Sequence, residues 1–354
     1  WTYKYEEAAR QGAAGALIVH QTQPAAYGWN VVESSWTGPQ AYAQRGPNAP
    51  PLTQMNGWVT ETAARSLLKA AGQDLDALTK AAQTKGFKAV PLGMSASTSF
   101  ESTFRSFTSH NVIGILPGSE APDEYMLHTA HWDHLGRCTP APDGDDICNG
   151  AVDNATGTAE LIEVARASAA GPRPARTLVF AAWTAEEKGL LGAEHYAANP
   201  LFPLATTVAV INLDPHVQLP RTRSLELIGG ARTTLETDLG DAAKGMGLVV
   251  VPEPNPEAGW YFRSDHFSLA RQGVPMLMAI GGGELIGKPP GAAEAAAKDF
   301  VDNRYHQPSD EYDPNWDWGG AVQDLTLLAD FASTLANGRD WPNWLPDSEF
   351  RTIR

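Results

Sequence analysis

Five short stretches of the chain carry histidine and acidic side chains in arrangements that can do chemistry. They are His131-Trp132-Asp133, Gly150-Ala151-Val152-Asp153-Asn154-Ala155-Thr156-Gly157, Glu186-Glu187, Asn212-Leu213-Asp214 and Tyr305-His306-Gln307-Pro308-Ser309-Asp310. Taken singly, each has a plain reading, since carboxylates at loop tips are mostly solvated and a histidine beside an aromatic ring mostly packs. Taken together they fit a metal centre. Zinc accepts imidazole nitrogen and carboxylate oxygen, and a hydrolytic pair of cations needs a shared carboxylate to hold two like charges together. Two histidines and three carboxylates meet that demand.

The elements that must position these residues alternate strand and helix. Tyr125–Ala130 reads as a strand, Ala155–Ala169 as a helix, and Thr177–Trp183 and Thr206–Leu213 as buried strands. Short strands follow at Ser224–Ile228, Leu248–Val251 and Pro275–Ala279, with helices at Thr233–Gly245 and Ala321–Asn337. Asn111–Leu116 adds a strand ended by Pro117-Gly118. The alternation predicts an α/β fold with a mostly parallel central sheet and helices on both faces. Such sheets bind ligands at the carboxyl ends of their strands, and His131, Asp133, Glu186, Glu187 and Asp214 all fall just after predicted strands.

The joint pattern resembles the di-zinc exopeptidase family that includes the bacterial leucyl aminopeptidases and glutamate carboxypeptidase II, over roughly Ser97–Asn337. The resemblance implies two zinc ions per chain: Asp153 bridges them, His131 and Asp214 hold one, and Glu187 and His306 hold the other. It makes Glu186 the general base. That is physically sound, because a carboxylate one residue from a ligand reaches metal-activated water without entering the coordination sphere. Asp133 would accept the second N–H of His131 and fix its tautomer. Tyr305 would donate to the oxyanion of the tetrahedral intermediate, and Arg263 and Asp265 of Arg263-Ser264-Asp265-His266 would lie near the substrate.

The activity so implied is that of a metallo-exopeptidase, a zinc-dependent aminopeptidase acting on peptides with Glu186 as base. The rivals are a carboxypeptidase or dipeptidase of the same fold, a glutaminyl cyclase and a non-catalytic receptor-like module; retention of Glu186 with all five ligands disfavours the last. The stretch from Lys4 to Val90 resembles part of a protease-associated domain. The expected organisation is therefore a small, partial, β-rich cap with a connecting helix over 1–95, a catalytic domain over 96–340 and a surface tail over 341–354.

His134, His216 and His266 compete for the ligand positions. His134 is expected to pack in its loop and His266 to make a structural hydrogen bond at a helix start, while Pro215 constrains the backbone beside His216. Gly229-Gly230 and Gly281-Gly282-Gly283 lack the following Lys-Ser/Thr pair of a nucleotide loop. No Gly-x-Ser-x-Gly surrounds Ser264 or Ser309, so a serine hydrolase is disfavoured as well.

With 41 Asp+Glu against 26 Lys+Arg, the net charge of -15 argues against a nucleic-acid partner and suits a cation-binding site. No apolar run reaches the roughly 18 residues that would span a bilayer. The chain opens Trp1-Thr2-Tyr3-Lys4 without an initiator Met, which reads as a processed or truncated start with any signal peptide out of view. The only cysteines, Cys138 and Cys148, are spaced to close a small disulfide ring in an oxidising compartment, so a periplasmic or extracellular location is expected.

Overall fold

The computed structural model describes residues 1–46, 51–215 and 217–353, so His216, one of the competing histidines, lies outside the described residues. The chain divides into two compact units, Trp1–Val32 with Gln44–Thr108, and Glu33–Ala43 with Ser109–Arg354. The boundary thus falls past the expected residue 95, and an N-terminal segment, Glu33–Ala43, belongs with the second unit.

In chain order the first part holds α1 (Thr2–Arg10), β1 (Gly15–His20), α2 (Thr22–Ala25), α3 (Trp29–Trp36), β2 (Met55–Thr60), α4 (Glu61–Ala70) and α5 (Leu75–Ala82). β1 and β2 pair in parallel with Gly15 opposite Met55. Thr60 Oγ1 accepts from Ala63 N and the Asp74 carboxylate from Ala77 N, so both following helices start on side-chain caps. Among its described residues this unit is not the β-rich cap expected: helices outnumber the two strands. α3 forms because Val31, Val32 and Ser35 present one buried face at helical spacing.

The second unit contains β3 (Val112–Leu116), β4 (Ala121–His131), β5 (Gly136–Arg137), β6 (Ile147–Cys148), α6 (Gly157–Ala170), β7 (Arg176–Trp183), α7 (Leu191–Ala198) and β8 (Thr207–Asn212). It continues with β9 (Ser224–Leu227), α8 (Leu235–Gly245), β10 (Val249–Pro252), α9 (His266–Ala270), β11 (Met276–Leu277), β12 (Ala279–Gly281), α10 (Ala292–Asn303) and α11 (Gly319–Asn337). The central sheet runs β11-β8-β4-β7-β3 and is parallel except where β3 meets β7. A smaller sheet runs β10-β9-β12.

Alternation along the strands builds a core on each face of the central sheet. Met126, Phe180 and Ile211 pack with Leu161 of α6, Leu235 of α8 and Leu328 of α11. Their neighbours Leu127, Val179 and Val210 pack with Tyr196 of α7 and Leu269 of α9. The C-terminal stretch is part of this second core and not a surface wrap. Trp344 is 1% exposed, donates Nε1–H to Gly273 O at 2.7 Å and meets the Phe350 ring at 4.9 Å, because two large rings bury too much apolar area to be left in water.

Candidate metal and catalytic site

Three adjacent parallel strands deliver the candidate residues to one end of the central sheet. His131 is the last residue of β4 and is in register with Trp183, the last of β7, while Thr129 is in register with Asn212, the last of β8. Glu186 and Glu187 follow β7 in a single helical turn, and Asp214 follows β8. Asp153 comes from the loop before α6 and His306 from the turn after α10.

Asp153 turns one oxygen toward each of two imidazoles: Oδ1 is 3.2 Å from His131 Nε2, and Oδ2 is 3.3 Å from His306 Nε2. Asp214 Oδ1 lies 3.2 Å from His131 Nε2, and Glu187 Oε2 lies 3.2 Å from His306 Nε2. Two histidine-and-carboxylate sets therefore share one aspartate, and the donor atoms of His131, Asp153 and Asp214 all lie within 4.8 Å of one another. Glu186 Oε2 is 3.9 Å from His131 Nε2, beside the sets.

Two expectations about supporting residues change. His134, expected to pack in its loop, reaches Glu187 Oε1 with Nδ1 at 2.6 Å and meets the His306 ring edge-on, because the loop after β4 folds back over the Glu187 turn. Asp133 does not use its carboxylate to fix His131: the backbone carbonyl of Asp133 lies 3.0 Å from His131 Nδ1, and the nearest carboxylate oxygen is at 3.8 Å. That carboxylate instead accepts Glu186 N at 3.0 Å and Glu187 N at 3.4 Å. It holds the Glu186-Glu187 turn.

Several supports escaped the sequence reading. Asp310, 0% exposed, accepts Val152 N and Asp153 N at 3.0–3.1 Å and so clamps the loop of the shared aspartate. Its signal was present, since it closes the stretch that carries His306. Ser264 Oγ donates to Asp214 Oδ2 at 2.5 Å and accepts Asn212 Nδ2 at 2.7 Å, while Thr129 Oγ1 donates to Asn212 Oδ1 at 2.7 Å. The glycines that bracket the Asp153 loop are steric requirements. A Cβ at Gly150 (φ +66) would strike Asp153 O and the His134 ring, and one at Gly157 would strike Asn154 Oδ1 and Leu213 O.

Of the residues expected near substrate, Asp265 is 1% exposed, and neither of its carboxylate oxygens has a hydrogen-bond partner among the described residues. Arg263 Nη2 donates to Ala258 O at 2.5 Å, the guanidinium lies 4.8 Å from the Trp260 ring centre, and its charge acts on Tyr305. Trp260 in turn meets Tyr305 at 6.1 Å, and Tyr305 lies 3.9 Å from the His306 ring. The competing His266 is buried against Tyr261.

Burial lowers the affinity of the His131 imidazole for a proton, but Asp214, Glu186 and Asp153 outweigh it and hold the ring well above its ordinary pKa. Burial pushes the Glu186 carboxyl well above its ordinary value; His131 opposes that shift, and the negative charges of Glu187, Asp265 and Asp214 add to it. Burial also raises the Tyr305 phenol well above 10. Asp133, Asp153, Glu186, Glu187, Asp214 and Asp265 thus crowd round His131, His134 and His306, an excess of buried negative charge that divalent cations would neutralise. The donor set is nitrogen and carboxylate oxygen, which zinc accepts.

A family model described as peptidase family M28 matches residues 111–329. Aminopeptidase NAALADL1 of Mus musculus is 35% identical over 130 residues, covering 35% of this chain and 16% of that protein. A glutamate carboxypeptidase 2 homolog of Caenorhabditis elegans is 36% identical over 128 residues, covering 34% of this chain and 15% of that one. The matches to these relatives span only about a sixth of the relatives' length. Among solved structures, an aminopeptidase from Aneurinibacillus sp. strain AM-1 shares the fold at a TM-score of 0.52 with 21% identity, over 98% of this chain and 68% of that one.

Proposed function

Because the chain belongs to peptidase family M28, we propose that it is a zinc-dependent aminopeptidase that releases the N-terminal residue of peptide substrates. The observation that carries this reading is Asp153, with one oxygen facing His131 and the other His306. A carboxylate shared by two histidine-and-carboxylate sets is what a pair of neighbouring cations requires. On this reading His131 and Asp214 hold one zinc, Glu187 and His306 the other, and Asp153 both.

Zinc bound there would polarise the substrate carbonyl and lower the pKa of a coordinated water. The side chains supply the rest. Glu186, beside the ligand sets with Oε2 3.9 Å from His131 Nε2, accepts a proton from the attacking water and returns it to the leaving amine. Asp133 keeps Glu186 in place through the backbone. Tyr305, protonated at neutral pH as any phenol with an ordinary pKa near 10 is, donates to the developing oxyanion. The buried Asp265 carboxyl, whose two oxygens have no hydrogen-bond partner among the described residues, is an acceptor that suits a substrate α-ammonium. The Cys138–Cys148 disulfide supports a periplasmic or extracellular location.

The test is metal content of protein purified without chelator, alongside hydrolysis of leucine anilide and of N-blocked peptides ending in Glu. Close to two zincs and anilide hydrolysis are expected, with kcat lower by about 10²–10⁴-fold in Glu186→Gln. Full activity after exhaustive chelation would sink the metal reading. Cleavage of the N-blocked peptides alone would make the protein a carboxypeptidase.

A further inference from the structure

His306 is held from outside by a residue far away in the chain. Ser35 Oγ lies 2.7 Å from His306 Nδ1, and the two residues are 6% and 8% exposed. On the two-zinc reading Nε2 of His306, which faces Asp153 and Glu187, is the atom given to the metal, so the proton of the neutral ring would sit on Nδ1, where the Ser35 hydroxyl oxygen can accept it. The same turn has two further ties. Ser35 O accepts Lys188 Nζ at 3.2 Å, one residue beyond Glu187, and Ser34 Oγ accepts Gln307 Nε2 at 3.3 Å, one residue beyond His306.

The backbone of His306 shows why such support matters. Its φ of 58° lies in the left-handed region, where a non-glycine residue costs roughly 1–3 kcal/mol and persists only where its surroundings over-determine it. Ser34 and Ser35, from the Glu33–Ala43 segment of the second unit, reach both residues of one candidate ligand set, His306 directly and Glu187 through Lys188.

We propose that Ser35 is a positioning residue for His306 and thereby supports the metal position that His306 shares with Glu187. This rests on the two-zinc reading above. A histidine ligand is oriented, and made a better donor, by the acceptor on its other nitrogen, and removing such an acceptor costs about 10–100-fold in metal affinity.

The experiment is stepwise competition for zinc between a chromophoric chelator and wild type, Ser35→Ala, Ser35→Thr or Glu187→Gln. Ser35→Ala is expected to weaken one of the two binding steps by about 10–100-fold, the same step that Glu187→Gln weakens, with Ser35→Thr restoring it. Equal weakening of both steps, or none in a folded Ser35→Ala, would overturn the proposal while leaving the two-zinc reading intact. Failure of wild type to bind zinc at all would overturn that reading and this one with it. The ring nitrogens of His306 in zinc-loaded wild type give a check independent of any variant: an Nδ1–H protected from solvent exchange is expected, and a freely exchanging one would refute the hydrogen bond.

Discussion

The buried carboxylate of Asp310 accepts the backbone N–H of Asp153 at 3.1 Å, so the last residue of the stretch that supplies His306 also sets the loop that supplies the shared aspartate. Charge-assisted bonds to backbone amides are strong, and removing the acceptor leaves buried donors unmet. Asp310→Ala is expected to lower zinc affinity by about 10–100-fold, read by chelator competition. Unchanged affinity would mean the Asp153 loop holds itself.

Asp133 acts on the Glu186-Glu187 turn through main-chain hydrogen bonds and not on His131 through its carboxylate. Asp133→Ala is therefore expected to misplace Glu186 and reduce kcat by about 10–100-fold, with a smaller change in KM. A change confined to KM would show that the turn keeps its shape without Asp133.

The crowding at Gly157 gives a steric prediction. An added methyl would strike Asn154 Oδ1 and Leu213 O, both backed by packed structure, so Gly157→Ala is expected to destabilise by about 1–3 kcal/mol. Thermal or urea unfolding measures this, and a neutral result would mean that the start of α6 can shift at no cost.

Trp344 ties the C-terminal stretch to the second core, and Trp344→Ala is expected to cost about 3–5 kcal/mol. Urea unfolding at neutral pH reads it. A loss under about 1 kcal/mol would return this stretch to the surface role first expected of it.

His128 is 2% exposed beside Phe180, and neither ring nitrogen has a hydrogen-bond partner among the described residues. Burial lowers it from 6.5 to about 4. Between those values the unfolded chain binds a proton that the native chain refuses. Its contribution is therefore fully present above 6.5, falls as the pH drops toward about 4 and levels off below, a loss of roughly 3 kcal/mol in all. Urea unfolding from pH 7 to 4.5 should show a shallower acid slope in His128→Phe; identical slopes would remove His128 as its source.

The five stretches rich in histidine and carboxylate were legible because the ligand types of a zinc site and the strand ends that present them are both local properties. Short, largely continuous apolar runs marked β4, β7 and β8, and each candidate acid or histidine at the end of one stands at its carboxyl end. α10 was missed although its alanines favour a helix, since only Ala293 and Phe300 of it are buried and no apolar stripe announces it. What Asp133 and Asp310 hold, and that His134 meets Glu187, depend on how separate loops converge at one sheet end. Hydrogen bonds across 157 positions, as from Asp153 to Asp310, leave no periodic trace. Ser35 is the extreme case, 271 positions from the histidine it touches. A serine in a short helix has no local feature that points to a metal site; only the folded chain, by burying it against His306, makes it part of one.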